Sequence, residues 1–206
     1  MRPKEWWEKP ENGKIWIRRE KTKIKHGDPS LKIVLDEFEK DKNKFREALE
    51  VGAGSGRIIG PLSKIHKKRF IAADINIEHC DYIEKRYKLT AHNDDIINLN
   101  FLSNGFDLVY TYQVLQHVDR QDILKALTEL LRVSRGEVWL FEGWGDLRKW
   151  GVKNGHMRHK GDGGTFYWDL EWMLKCYETK MIEIDKKGEA GIKLYKIKAI
   201  DNKPYE

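Results

Sequence analysis

The sequence predicts an α/β fold, a doubly wound sheet of five parallel strands closed by a C-terminal antiparallel hairpin, and three observations carry that expectation. Strand-length apolar runs alternate with helix-length segments from Phe45 to Phe141, the rhythm of parallel strands joined by right-handed crossovers. Gly52, Gly54 and Gly56 follow the first of those runs, where a backbone turn must take positive φ or admit a ligand closely. Past Phe141 the rhythm stops, and two β-rich runs flank Lys186-Lys187-Gly188-Glu189-Ala190-Gly191, a hairpin turn.

Residues 1–27 read as a polar leader in which Trp6, Trp7, Ile15, Trp16, Ile17 and Ile24 are interleaved with lysine and arginine. Asp28-Pro29 has the order of an N-cap followed by proline, opening a helix to about Lys40. Its Leu31, Val34, Leu35 and Phe38 recur at helical spacing, so one face packs, and the helix is expected over the ligand-binding end of the sheet. Residues 1–44 thus form a leader and capping helix, and 45–206 the main domain. Within it we expect a strand to Val51, a helix from Arg57 to His66, a strand from Arg69 to Ile75 and a helix to Arg86. A strand at Leu89–His92, one at Leu108–Tyr112, a helix from Asp119 to Val133 and a fifth strand at Glu137–Phe141 come next. Residues 142–165 are a loop rich in tryptophan, glycine and lysine without clear period. Loops of that length tend to be functional. A helix from Trp168 to Tyr177 and strands at Met181–Asp185 and Ile192–Ile200 close the chain.

The chemistry-bearing signals come in a fixed order. Glu50-Val51-Gly52-Ala53-Gly54-Ser55-Gly56 is an acidic residue followed by x-G-x-G-x-G, and the open N–H groups of the next helix would face a ligand there. A dinucleotide loop of the G-x-G-x-x-G type needs glycine or alanine at position 57, which is Arg57. Asp74 ends the second apolar run, eighteen residues after Gly56, where a carboxylate can accept hydrogen bonds from both hydroxyls of a ribose. The plain structural alternative is an Asp capping the helix of residues 76 to 87. Asp94-Asp95-Ile96 follows, then Phe106-Asp107 leading to Val114-Leu115-Gln116-His117-Val118.

These signals span residues 45–141 and resemble the class I S-adenosylmethionine-dependent methyltransferase family. The resemblance implies a Rossmann-like sheet in the seven-stranded methyltransferase architecture, with S-adenosyl-L-methionine as cofactor. It assigns Glu50, Gly52, Ala53, Gly54 and Gly56 to the cofactor loop, and Asp74 with Ile75 to the ribose. Asp95 with Ile96 would meet the adenine edge, Asp94 being the one-residue alternative, and Tyr112 and Gln113 would meet the methionine part. Asp94-Asp95 stands where the family more commonly has Gly-Asp, which leaves the adenine contact less determined than the ribose contact.

At 206 residues the chain suits one α/β domain with appendages. The net charge of +6 favours anionic partners or serves solubility alone. Cys80 and Cys176 form no C-x-x-C pair, so no zinc site or disulfide framework is expected, and no Asp/His cluster asks for a metal. No signal peptide or run of about 18 apolar residues is present, so a cytoplasmic protein without a membrane partner is expected.

Methyl transfer asks the protein to align a nucleophile with the methyl–sulfur bond and to exclude water. Candidate groups at the strand ends are Tyr112, His117 and Glu142, the last as an orienting carboxylate; for His117 a purely structural role is the alternative. His156, Arg158 and His159 in the loop read equally as a solvated basic segment. Trp144, Trp150, Phe166, Tyr167, Trp168 and Trp172 could wall an acceptor pocket or form packing core. Thr111-Tyr112-Gln113-Val114 replaces the Asn/Asp-Pro-Pro-Tyr/Phe sequence that amino-methylating nucleic-acid enzymes carry after the fourth strand, and the continuation looks like the small-molecule branch. Three readings follow: a methyltransferase for O or N of a small-molecule acceptor, one for RNA or protein docked on a basic surface of the leader (Arg18, Arg19, Lys21, Lys23, Lys25) and the lysines and arginines of residues 148–160, and a noncatalytic nucleoside-binding module.

Overall fold

A computed structural model describes residues 3–26, 29–145, 157–158, 165–166, 168–187 and 190–199. The first surprise is at the amino end. The segment read as a leader is two helices, α1 (Pro3–Trp7) and α2 (Pro10–His26), each opened by a proline whose missing N–H costs nothing at a first helical position. The inner face of α2 carries Gly13, Trp16, Ile17 and Glu20, a helical spacing disguised in sequence by a glycine and a glutamate. Gly13 is required there: a Cβ would lie 2.2 Å from the Asn76 side-chain oxygen.

α3 (Pro29–Lys40) runs as expected but lies elsewhere. Its Val34 and Phe38 are fully buried, and Phe38 meets Tyr110 and Trp139 at ring-centroid distances of 4.9 and 5.0 Å. The helix therefore covers a face of the sheet, not the ligand-binding end, because its apolar stripe finds the aromatic rows of the strands beneath it.

The elements then alternate: β1 (Glu47–Val51), α4 (Ile59–Ile65), β2 (Arg69–Asp74), α5 (Ile77–Tyr87), β3 (Thr90–Asn93), β4 (Phe106–Tyr112), α6 (Ile123–Val133) and β5 (Ser134–Gly145). A two-residue pair, β6 (Met157–Arg158) and β7 (Thr165–Phe166), and the short α7 (Leu170–Met173) precede the final hairpin of β8 (Thr179–Lys187) and β9 (Ala190–Lys198). The helix expected from Trp168 to Tyr177 is thus a single turn; β5 runs three residues further back and four further on than its apolar centre.

The main sheet has seven strands in the order β3-β2-β1-β4-β5-β9-β8. β1 pairs in parallel with both β2 and β4, and β9 runs antiparallel between β5 and β8. Side chains alternate between two cores, as strand geometry requires. Leu49, Val109, Val138 and Leu140 face α6, while Ala48, Tyr110, Trp139 and Phe141 face α3 and α4. Burying each of the larger of these side chains stabilises the fold by roughly 1.5–3 kcal/mol. Strand order reverses on either side of β1, so the crevice at the carboxyl ends of β1 and β4 is where a ligand is received in such sheets.

Asp107, part of the Phe106-Asp107 signature, sits at the opposite edge. It accepts from the backbone N–H groups of Arg46 and Glu47 at 2.8 and 3.1 Å and from Arg135 Nε at 2.7 Å, tying three strands together far from the crevice. Among the described residues no helix is long and apolar enough to cross a membrane, and no His/Cys/Asp/Glu group could hold a metal ion.

Candidate active site

The glycine loop bends as its composition demands, with φ of +72°, +55° and +72° at Gly52, Gly54 and Gly56. The three positions serve different ends. A Cβ on Gly52 would lie 2.5 Å from Val114 Cγ2 after β4; one on Gly56 would lie 2.8 Å from the Tyr87 ring of α5. Only at Gly54 is the space open, the nearest atom to an added Cβ being Trp16 Nε1 at 3.5 Å. Gly54 alone of the three leaves room for close approach from the cavity, and Gly56 is a packing residue outside it.

The loop is tied to the end of β2. Gly52 N–H donates to Ala73 O at 2.8 Å, and Gly54 N–H to Asp74 Oδ2 at 2.7 Å. Asp74 Oδ1 accepts from Asn76 N–H and from His79 Nδ1, both at 2.9 Å. Burial alone would push this carboxyl up, but His79 and the two backbone donors outweigh it and hold it below its ordinary value. Asp74 does not cap α5; Asn76 does, through its side-chain oxygen and Glu78 N–H at 3.0 Å.

Glu50, the acid that opens the motif, lies beneath the loop. Its Oε2 accepts from Ile59 N–H at 2.9 Å and Tyr110 Oη–H at 3.1 Å, and burial pushes the carboxyl up to about 8. α4 begins at Ile59, two residues later than expected, and Glu50 already satisfies that first N–H, so the helix end is not open to a ligand.

Glu142 departs furthest from expectation. It does not line the cavity. It turns inward, and its Oε1 accepts from Thr111 Oγ1 at 2.9 Å, Val114 N–H at 3.1 Å and Leu115 N–H at 3.2 Å. Burial pushes its carboxyl up to about 7 against those bonds. Glu142 thus holds the segment that follows β4, where Gln113 takes a φ of +56°, rather than meeting an acceptor.

The two raised carboxyls give the fold a definite pH dependence. The unfolded chain loses both protons near the ordinary value of 4.5, whereas the folded chain keeps them to about 7 and 8. The folded state binds more protons across that window, so stability falls as pH rises through it, by up to about 1.4 kcal/mol per pH unit per group. Urea unfolding at pH 5.5 and 7.5 should show the loss, and Glu50→Gln should make it smaller.

Of the residues expected at the site, Glu50, Gly52, Ala53, Gly54, Asp74, Ile75, Asp94, Asp95, Ile96, Tyr112, Gln113 and His117 line one cavity at the carboxyl edge. Asp94 is anchored by its own N–H to Asp74 O at 3.0 Å, and Asp95 pairs with Lys4 Nζ at 2.7 Å. Sequence reasoning missed the opposite wall, formed by Lys4 and Trp7 of α1 and Trp16 and Glu20 of α2. Asn76 fastens it: its side-chain amide donates to Trp7 O at 2.6 Å and Lys9 O at 2.9 Å. Trp7 packs edge-on to His117 and to Trp16, centroids 4.9 and 5.2 Å away. Arg57 pairs with Glu20 at 2.9 Å and covers the Tyr112 ring at 4.7 Å. Trp168 is no pocket wall; its indole N–H donates to Leu115 O at 2.8 Å. Trp172 is exposed. Trp150, Tyr167, His156 and His159 lie outside the described residues, as do the side chains of Trp144 and Arg158.

Comparison with known proteins agrees with this geometry. Residues 48–136 match the family model described as a methyltransferase domain. A search of curated protein sequences finds no match. Similar solved structures include magnesium protoporphyrin IX methyltransferase from Synechocystis PCC 6803 with bound SAM, 14% identical, covering 82% of this chain and 77% of that one, TM-score 0.59. Another is the 1,6-didemethyltoxoflavin-N1-methyltransferase of Burkholderia thailandensis, 11% identical, covering 87% and 82%, TM-score 0.63. A third is the N-methyltransferase NodS of Bradyrhizobium japonicum WM9 with SAH, 14% identical, covering 83% and 88%, TM-score 0.59. At these identities the structures speak for the fold, and the domain match speaks for residues 48–136. Residues 48–136, somewhat less than half of the chain, thus match a methyltransferase domain, and the strand order and glycine loop resemble those of the class I S-adenosylmethionine-dependent methyltransferases.

Proposed function

We propose that the protein transfers a methyl group from S-adenosylmethionine to O or N of a small-molecule acceptor by in-line displacement. The observation that carries this reading is the aromatic wall folded over the carboxyl edge. Trp7, Trp16, Tyr112 and His117 all line the cavity, and Asn76 fastens α1 above it, which suits a recess that excludes water from a small acceptor. Two similar structures bear names that point the same way: one enzyme is named for magnesium protoporphyrin IX, the other for 1,6-didemethyltoxoflavin.

The cavity fits the cofactor by its own features. The open cradle at Gly54 admits close approach, Asp74 stays ionised beside it, and His79 Nε2 is a buried nitrogen lacking a partner. Asp74 and Ile75 would hold the ribose, and Asp95 with Ile96 or Asp94 the adenine edge. Ala53, Gly54, Tyr112 and Gln113 would border the methionine part. Lys4 competes for Asp95, so adenine binding and docking of α1 are linked. Bound there, the cofactor supplies a methyl group on a positive sulfur. The protein aligns the acceptor with it, and His117, at the cavity wall, is placed to take the proton an oxygen acceptor must lose. Glu142 acts one step back, positioning the Val114–Leu115 backbone.

A second reading, an RNA or protein substrate, draws on the outward face of α2, where Arg18, Arg19 and Lys21 are exposed. Incubation with methyl-labelled cofactor and fractionated cell extract decides between them. Label in the small-molecule fraction is expected. Label in RNA or protein, with activity falling steeply in salt, would replace the first reading by the second. Heat of binding without any labelled product would leave a noncatalytic nucleoside-binding module.

A further inference from the structure

Asp74 is nearly saturated before any ligand arrives. Oδ1 accepts from Asn76 N–H and His79 Nδ1, both at 2.9 Å, and Oδ2 from Gly54 N–H at 2.7 Å. A carboxylate has about four acceptor positions, so about one remains, on Oδ2. A ribose brings two neighbouring hydroxyls. Asp74 by itself cannot receive both without releasing the loop or the helix it holds.

The missing partner stands beside it. His79, in the first turn of α5, is 1% exposed, and it lines the same cavity. Its Nδ1 hydrogen bond to Asp74 sets the proton on Nδ1, and in the neutral imidazole that leaves Nε2 an acceptor. Nε2 is buried and has no hydrogen-bond partner, and such an atom destabilises a fold unless something else satisfies it. The Trp7 ring of α1, which shares the cavity, is 6.5 Å away between centroids.

We propose that His79 Nε2 accepts a hydrogen bond from one ribose hydroxyl of the cofactor, the other hydroxyl going to Asp74 Oδ2. This rests on the cofactor reading given above and extends it to a ligand-contacting residue on α5. The imidazole and the carboxylate then act as one unit, each holding one hydroxyl while bonded to the other.

Calorimetry with S-adenosylhomocysteine and its 2′-deoxy and 3′-deoxy analogues tests it. With the unsubstituted protein, one deoxy analogue should bind about tenfold more weakly through loss of the His79 bond. His79→Asn, whose amide can still donate to Asp74, should bind S-adenosylhomocysteine about tenfold more weakly and no longer distinguish that analogue from the parent. His79→Gln, whose amide reaches the Nε2 position, should recover part of the affinity. If His79→Asn keeps the full penalty for both deoxy analogues, His79 only orients Asp74 and the proposal is wrong. Should that variant fail to fold, the unsubstituted protein still decides: equal affinity for all three ligands overturns the proposal while leaving the cofactor reading intact. No binding of S-adenosylhomocysteine at all would overturn both.

Discussion

Asp74→Ala should abolish measurable S-adenosylhomocysteine binding and cost about 3 kcal/mol or more of stability. The carboxylate ends β2 between the glycine loop and α5, and its removal orphans three donors at once: Gly54 N–H, Asn76 N–H and His79 Nδ1. Each buried donor left without a partner costs about 1–3 kcal/mol, and the effects are not independent because one residue holds all three. The disturbance spreads through Asn76, whose side chain fastens Trp7 O and Lys9 O, so the wall over the cavity loosens with it. Asp74→Asn should fall between, since its single oxygen can keep one side of the arrangement while its amide faces donors on the other. Urea unfolding and calorimetry on the same preparations check both effects. A variant that binds the ligand normally while losing stability would assign Asp74 to the fold alone.

How far the sequence reveals this site depends on whether each role is local. The turn at Gly52 and Gly54, the acid at the end of β2 and the alternation of strands with helices are legible because each is set by neighbours within a few residues. Glu142 shows the limit. Its position just past the central apolar run of β5 places it at the correct edge, but whether it faces the acceptor or the chain depends on Thr111, Val114 and Leu115, which lie 31, 28 and 27 residues away. Gly56 matches the motif yet answers to Tyr87 on α5. The helices α1 and α2 were illegible as a wall for a related reason. The inner face of α2 is specified by what it meets, Asn76 against Gly13 and Arg57 against Glu20, so hydrophobic periodicity gave no sign of it. α3, with the clearer apolar stripe, went to the core of the sheet instead, as burial of Val34 and Phe38 dictates.

Gly52→Ala should cost about 3 kcal/mol and weaken cofactor binding, for two separable reasons. The φ of +72° disfavours any residue with a Cβ, by roughly 1–2 kcal/mol. The added Cβ would also lie 2.5 Å from Val114 Cγ2, closer than real contacts allow, and relieving such overpacking costs about 1–3 kcal/mol. Val114 cannot retreat freely. Its N–H is held by Glu142, and Gln113 before it is pinned in a left-handed conformation by its N–H to Phe141 O at 2.7 Å. The clash therefore passes from the cofactor loop into the segment that carries Gln113 and His117, coupling the two halves of the site. Val114→Ala in the Gly52→Ala background should restore about 1–2 kcal/mol by removing the clash, while the backbone strain and part of the affinity loss remain. Thermal unfolding of the two single variants and the double variant measures that coupling directly. If the double variant is no more stable than additivity predicts, Val114 yields without cost, and the glycine is required for its backbone conformation alone.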